Sequence, residues 1–139
     1  MTCFWDGIMS QLSKEDFSIL QSSDGICMHG KCSVKELVIL LQSKNILTND
    51  VLWGVMNNQL AVISPKELGE HYNAVTDYNP LHVNNGHLTS TCDYFLLLLT
   101  QLLNIRIEHN YLKTIIIYTV DNPRKTWKFS SNRRHFSVL

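Results

Sequence analysis

Two residues of this chain, Cys3 and His135, have the types and placement to do chemistry together. Cys3 opens the apolar-periodic stretch Met1-Thr-Cys-Phe-Trp-Asp-Gly-Ile-Met-Ser-Gln-Leu12, and His135 sits in the closing run Arg134-His-Phe-Ser-Val-Leu139. If the fold brings the two ends together, the imidazole takes the thiol proton and the thiolate attacks a carbonyl carbon. Phe4, Ile8 and Leu12 share one helical face, with Trp5 and Met9 beside them. Thr2 is the expected N-cap, and Asp6 lies in the first turn, where a negative charge suits the helix dipole. Cys3 then falls where the dipole and the free N–H groups stabilise a thiolate, and the same N–H groups can hold an oxyanion. A chain with four cysteines and six histidines offers many such pairs, so everything depends on whether the ends meet.

The elements between them must do that positioning. A short helix is expected around Lys14–Gln21, in a polar stretch that is otherwise loop as far as Lys31. Ser33-Val-Lys-Glu36 is a capping-box pattern for a helix to about Ser43, with Leu37, Val38, Leu40 and Leu41 inward. Thr48-Asn-Asp-Val reads as another helix start, ending near Asn57-Asn58. Ser64-Pro-Lys-Glu67 is the clearest start signal, for a helix to Val75–Thr76, and Asp77 to Gly86 reads as loop. Ser90 or Thr91 caps a helix through Leu103 that is apolar nearly all round and therefore central and buried. Strand patterns follow at 105–109, 114–120, 127–129 and 135–139. Helices first and an antiparallel sheet last make an α+β order.

With 139 residues the chain reads as one domain, 1–139, long enough to bury a core. Twelve basic and twelve acidic residues cancel, which argues against a general nucleic-acid binder. In the last 27 residues Lys113, Arg124, Lys125, Lys128, Arg133 and Arg134 face only Asp121, a bias more often made for solubility than for phosphate. No charged-then-apolar leader opens the chain, and the longest apolar run, Tyr94 to Leu99, is too short to span a bilayer. Four cysteines (Cys3, Cys27, Cys32, Cys92) without a signal peptide predict free thiols in a reducing compartment, with a cytoplasmic location.

Cys27-Met-His-Gly-Lys-Cys32 could contribute three zinc ligands, two Cys and a His, but a fourth from His71, His82 or His87 falls at no standard spacing, and no metal or other cofactor is expected. His82 and His87 flank a tight-turn signal, and His109 reads as a solvated residue at a strand end. Cys92 reads as a small core residue, and Trp5 and Trp127 as core or site-wall aromatics.

Cys3-Phe-Trp opening a helix resembles the start of ovarian-tumour (OTU) family cysteine peptidases. Thr91-Cys-Asp-Tyr-Phe-Leu-Leu-Leu-Leu-Thr-Gln-Leu-Leu-Asn-Ile-Arg-Ile resembles that family's buried helix running into a strand. Ile115-Ile-Ile-Tyr118 resembles the next strand, and Ser131-Asn-Arg-Arg-His-Phe136 the closing His-aromatic strand. The flavour is closest to OTU-like proteins of large DNA viruses, which would place the chain in host cytoplasm or virion. The resemblance implies a papain-like OTU fold with N-terminal helices packed on a small C-terminal antiparallel sheet. It further implies Cys3 as nucleophile, His135 as general base and ubiquitin or a ubiquitin-like modifier as partner, without nucleic acid or membrane. Trp5, Phe136 and Asn132 become the substrate-groove candidates.

Two departures accompany the resemblance. The family usually has Asp-Gly-Asn before the cysteine, whereas only Met1 and Thr2 precede Cys3 here. It often has Asp or Asn two residues after the histidine, where this chain has Ser137; Asn132 or Asp6 are the other candidates for a third member. A ubiquitin tail is basic, so acidic contacts would come from Glu67, Glu70 and Asp77. The alternative is a catalytically weakened OTU-like domain that binds ubiquitin or a host protein.

Overall fold

Alternation of apolar and polar side chains after residue 104 builds the sheet on which the site rests. The computed structural model describes residues 3–20, 30–46, 51–56, 59–84, 89–132 and 136–139; the side chains at 3, 84 and 89–93 lie outside that description. Strands β3 (Arg106–Tyr111), β4 (Thr114–Thr119), β5 (Thr126–Ser131) and β6 (Phe136–Val138) join two earlier ones, β1 (Leu52–Val55) and β2 (Ala61–Val62). Their order is β2-β1-β4-β3-β5-β6. Ile107 pairs with Trp127, His109 with Phe129 and Tyr111 with Ser131, so the period of two gives these residues one shared face.

Helices α1 (Cys3–Gln11), α2 (Lys14–Leu20), α3 (Val34–Ser43), α4 (Pro65–Asp77) and α5 (Thr89–Leu103) complete the fold, with a 3₁₀ turn at Pro80–Asn84. Phe4, Trp5 and Ile8 of α1 meet the four inward residues of α3 and the run Phe95 to Leu99 of α5. Ile107, Trp127, Phe129 and Phe136 close the same core from the sheet side. The Ser33 capping box forms in full, and Ser64 caps α4 with Pro65 in its first turn. Gln42 Nε2 donates to the carbonyls of Val75 and Tyr78, so α3 satisfies the carbonyl end of α4. Among the described residues no helix is long and apolar enough to cross a membrane.

Mixed helix and sheet is the α+β composition the sequence predicts, with four corrections. The helix expected from Thr48 is β1 over the residues described there: Leu52 to Val55 pair with Thr119 to Ile116 of β4, more than sixty positions away. Local capping signals lose to that ladder because Trp53 and Val55 suit a pleated surface. At Gly54 a Cβ would stand 3.0 Å from Leu60 Cδ2, so glycine lets the chain fold back closely there. Second, two strands precede α4, so the sheet is not confined to the C-terminal part. Third, the sheet is mixed: β3 and β5 are parallel. The Arg124 amide donates to the Asn104 carbonyl and the Arg106 amide to the Lys125 carbonyl, docking the 120–125 link at the start of β3. From there β5 can leave only in β3's own direction. Fourth, α5 begins at Thr89, placing Ser90 and Thr91 inside the helix rather than at its cap.

Candidate functional site

Helix α1 lies against β6, and the contact is aromatic. The ring of Phe4 meets the ring of Phe136 edge-on, with centroids 4.9 Å apart. Phe136 also packs on Phe129 at 4.7 Å and on His109 at 5.5 Å. Gly7 permits the approach, because a Cβ there would stand 3.0 and 3.1 Å from two atoms of the Phe136 ring. The two ends of the chain therefore meet. Cys3 is the first residue of α1, where backbone N–H groups have no intrahelical acceptor. The Cys3 thiol and residues 133–135, His135 included, lie outside the described residues; what the fold joins directly is their neighbours Phe4 and Phe136.

A crowded junction makes a prediction at Gly7. Its Ala variant gains about 1 kcal/mol of helix propensity. Overpacking against a ring already held by Phe4, Phe129 and His109 costs roughly 1–3 kcal/mol. The expected net result is a lower urea midpoint, by about 1 kcal/mol of stability. A raised midpoint would mean that the α1–β6 contact is loose.

The other expected residues scatter around this junction. Trp5 is not a groove residue. It is 2% exposed, packed edge-on against Phe95, and its Nε1 donates to Tyr78 Oη at 3.4 Å. Phe136, at 4% exposure, is likewise core, so neither aromatic lines an open groove. Trp127 is buried, as a core aromatic should be. Asp6 is exposed one turn along α1 from Cys3. Asn132 is exposed at the end of β5, and Ser137 is exposed in β6. Strand alternation turns Ser137 to the sheet face opposite Phe136 and α1. Glu67, Glu70 and Asp77 are exposed on α4. Asp77 precedes Tyr78, which reaches Trp5, whereas Glu67 lies about 15 Å further up the helix.

His109 corrects the sequence reading. It is fully buried in β3, and its Nε2 shares a 2.5 Å hydrogen bond with Ser131 Oγ on β5. Its parity with Ile105 and Ile107, both inward, is the sequence signal for that burial. Cys32 is a second correction. It is disulfide-bonded, so not all four thiols are free. The cysteine count thus no longer argues for a reducing compartment, and the Cys32 sulfur is not available as a zinc-binding thiolate. His71 is half-buried on α4 and His82 exposed on the 3₁₀ turn; Cys27, His29 and His87 lie outside the described residues, as does the side chain of Cys92. No group of three or more metal-binding side chains occurs among the described residues.

Part of the basic C-terminal region is already neutralised. Arg124 and Lys125 both bond to the buried carboxylate of Asp16, at 2.8 and 2.6 Å, and Arg124 also reaches Glu15. These two cations build the fold rather than offering a free surface to a polyanion.

No family model, curated protein or solved structure matches this chain.

Proposed function

We propose that the chain is a cysteine peptidase of OTU type, cleaving after the C-terminal glycine of ubiquitin or a ubiquitin-like modifier in the cytoplasm or a virion. The observation that supports this reading is the Phe4–Phe136 contact, which couples the residue after Cys3 to the residue after His135. In the reaction, His135 takes the Cys3 proton and the thiolate adds to the scissile carbonyl carbon. Backbone N–H groups at the start of α1 hold the oxyanion. Collapse breaks the C–N bond, and His135 passes its proton to the leaving amine. Water, deprotonated by His135, then cleaves the thioester and restores the thiol. Asp6 and Asn132 are the candidates to orient His135 toward α1, since Ser137 lies on the opposite sheet face.

The test is labelling by ubiquitin carrying a C-terminal electrophile, in reducing buffer, on the wild type and on Cys3→Ala. A covalent adduct with the wild type and none with Cys3→Ala is the expected result. A folded, reduced wild type that forms no adduct would sink the peptidase reading. The second reading, a binding module on the same fold, is favoured by Ser137: a hydroxyl, turned away from α1, stands where the resemblance calls for an acid or amide. Non-covalent retention of ubiquitin without labelling is its signature.

A further inference from the structure

At one end of the sheet, on the face away from α1, lies an open cavity of about 240 Å³. Its floor is a polar row across three strands. Asn110 of β3 pairs with Ser130 of β5, and Ser130 pairs with Ser137 of β6, which gives the three side chains one face. Asn132 and Ser131 close the strand end. The Ser131 hydroxyl is turned to the opposite, core face, where it bonds to the buried imidazole of His109. Among the described lining residues Lys113 supplies the one formal charge, and none of them is a carboxylate. Glu108, two residues before Asn110 on β3, is paired with Arg106 at 3.0 Å.

The wall that carries Lys113 is unusual in its backbone. The two residues between β3 and β4, Leu112 and Lys113, both have positive φ, at 48° and 77°. A two-residue hairpin turn of this kind selects Asn-Gly or a similar pair, because β-carbons are strained there. The turn is nevertheless fastened to the cavity's edge, with the Leu112 amide donating to the Ser131 carbonyl. A strained backbone that carries a cation into the lining of a polar cavity is the kind of outlier found at ligand sites.

We infer that this cavity binds a small oxyanion, a phosphate or a carboxylate, with Lys113 as its counter-charge and Asn110, Ser130 and Ser137 as hydrogen-bond donors. The inference goes beyond the peptidase reading and does not rest on it, because binding is read without any turnover. Hydroxyl and amide donors around one ammonium match the acceptor-only surface of an oxyanion. The cavity is small for a drug-sized ligand and suits a single charged group.

The experiment is an amide NMR titration at constant ionic strength, with inorganic phosphate in one arm and acetate in the other. The expected result is saturable movement of the Asn110, Lys113, Ser130 and Ser137 signals in at least one arm; the arm that saturates identifies the source. Lys113→Gly should weaken binding at least about tenfold, on the order of one lost charge-assisted bond. The same variant should raise Tm by roughly 3 °C, because glycine relieves the positive φ. Lys113→Gln tests the charge with a side chain still present, and Lys113→Arg should bind within about threefold of wild type. Linear shifts in both arms, or undiminished affinity in both Lys113→Gly and Lys113→Gln, would overturn the inference.

Discussion

Phe136→Ala is expected to cost about 3–5 kcal/mol of stability and to disconnect the candidate site at the same time. The ring is 4% exposed and touches Phe4, Phe129 and His109, so its removal leaves a void bounded by two strands and a helix. Neither β5 nor β3 can collapse into that void, since each is fixed by pairing on both sides. Helix α1 can shift, and it carries Cys3. Urea denaturation should therefore show a much lower midpoint with a similar slope. Labelling by the ubiquitin electrophile should also slow at temperatures where the variant is still folded. Phe136→Leu, which keeps most of the volume, should lie between the two. A loss under about 1 kcal/mol in Phe136→Ala would show that the ends of the chain are held by something else.

Asp16→Ala is the second large effect. This carboxylate is fully buried, yet it accepts from Arg124 and Lys125, and from the Ser13 amide at 2.9 Å. Ser13 Oγ in turn accepts from the Asp16 amide, so the same residue caps α2. Arg124 also donates from Nε to the Leu103 carbonyl, which ties α2, the end of α5 and the β4–β5 link into one knot. Removing the anion strands two cations that are 24% and 32% exposed and can turn partly to water. The expected loss is therefore at the lower end for a broken buried pair, about 3 kcal/mol, with a Tm fall on the order of 10 °C.

The pH dependence follows from the same contacts. Burial pushes the Asp16 carboxyl up, but the bonds from Arg124, Lys125 and Ser13 outweigh it and hold it below the ordinary 3.8. Its folded value is thus depressed. The stabilisation is present above the unfolded value near 3.8 and is lost as pH falls through the folded value. Urea midpoints of the wild type should fall below about pH 4, and Asp16→Asn should lack that part of the decline. An identical acid limb in both proteins would remove Asp16 from the account.

Asp16 also shows where local reading stops. Ser13 and Asp16 form a capping pair three residues apart, a local contact at the start of the short helix that the sequence predicts around Lys14–Gln21. That Asp16 is buried against cations more than a hundred residues later is not a local property. The same division runs through the strands. Val51 to Met56 looks locally like the middle of a capped helix, and only the exposed ladder of β4 makes it a strand. His109 has the parity of a core residue, and Ser131 arrives on a parallel strand to take its Nε2.

What the sequence determined by itself is the set of signals that act within a few residues. Helix starts at Ser33 and Ser64, the apolar stripe of α1, the all-round apolarity of α5 and the alternation of β3 and β5 are short-range effects of capping and burial. Tertiary structure alone decided which segments became neighbours. It set β5 parallel to β3, buried Trp5 and Phe136 in the core, and turned Ser137 to the far face. It also brought Phe4 to Phe136, and so the first residues of the chain to its last strand. Strand order and face are fixed by free-energy differences between whole packings, to which a cap or a periodicity contributes the same in every arrangement.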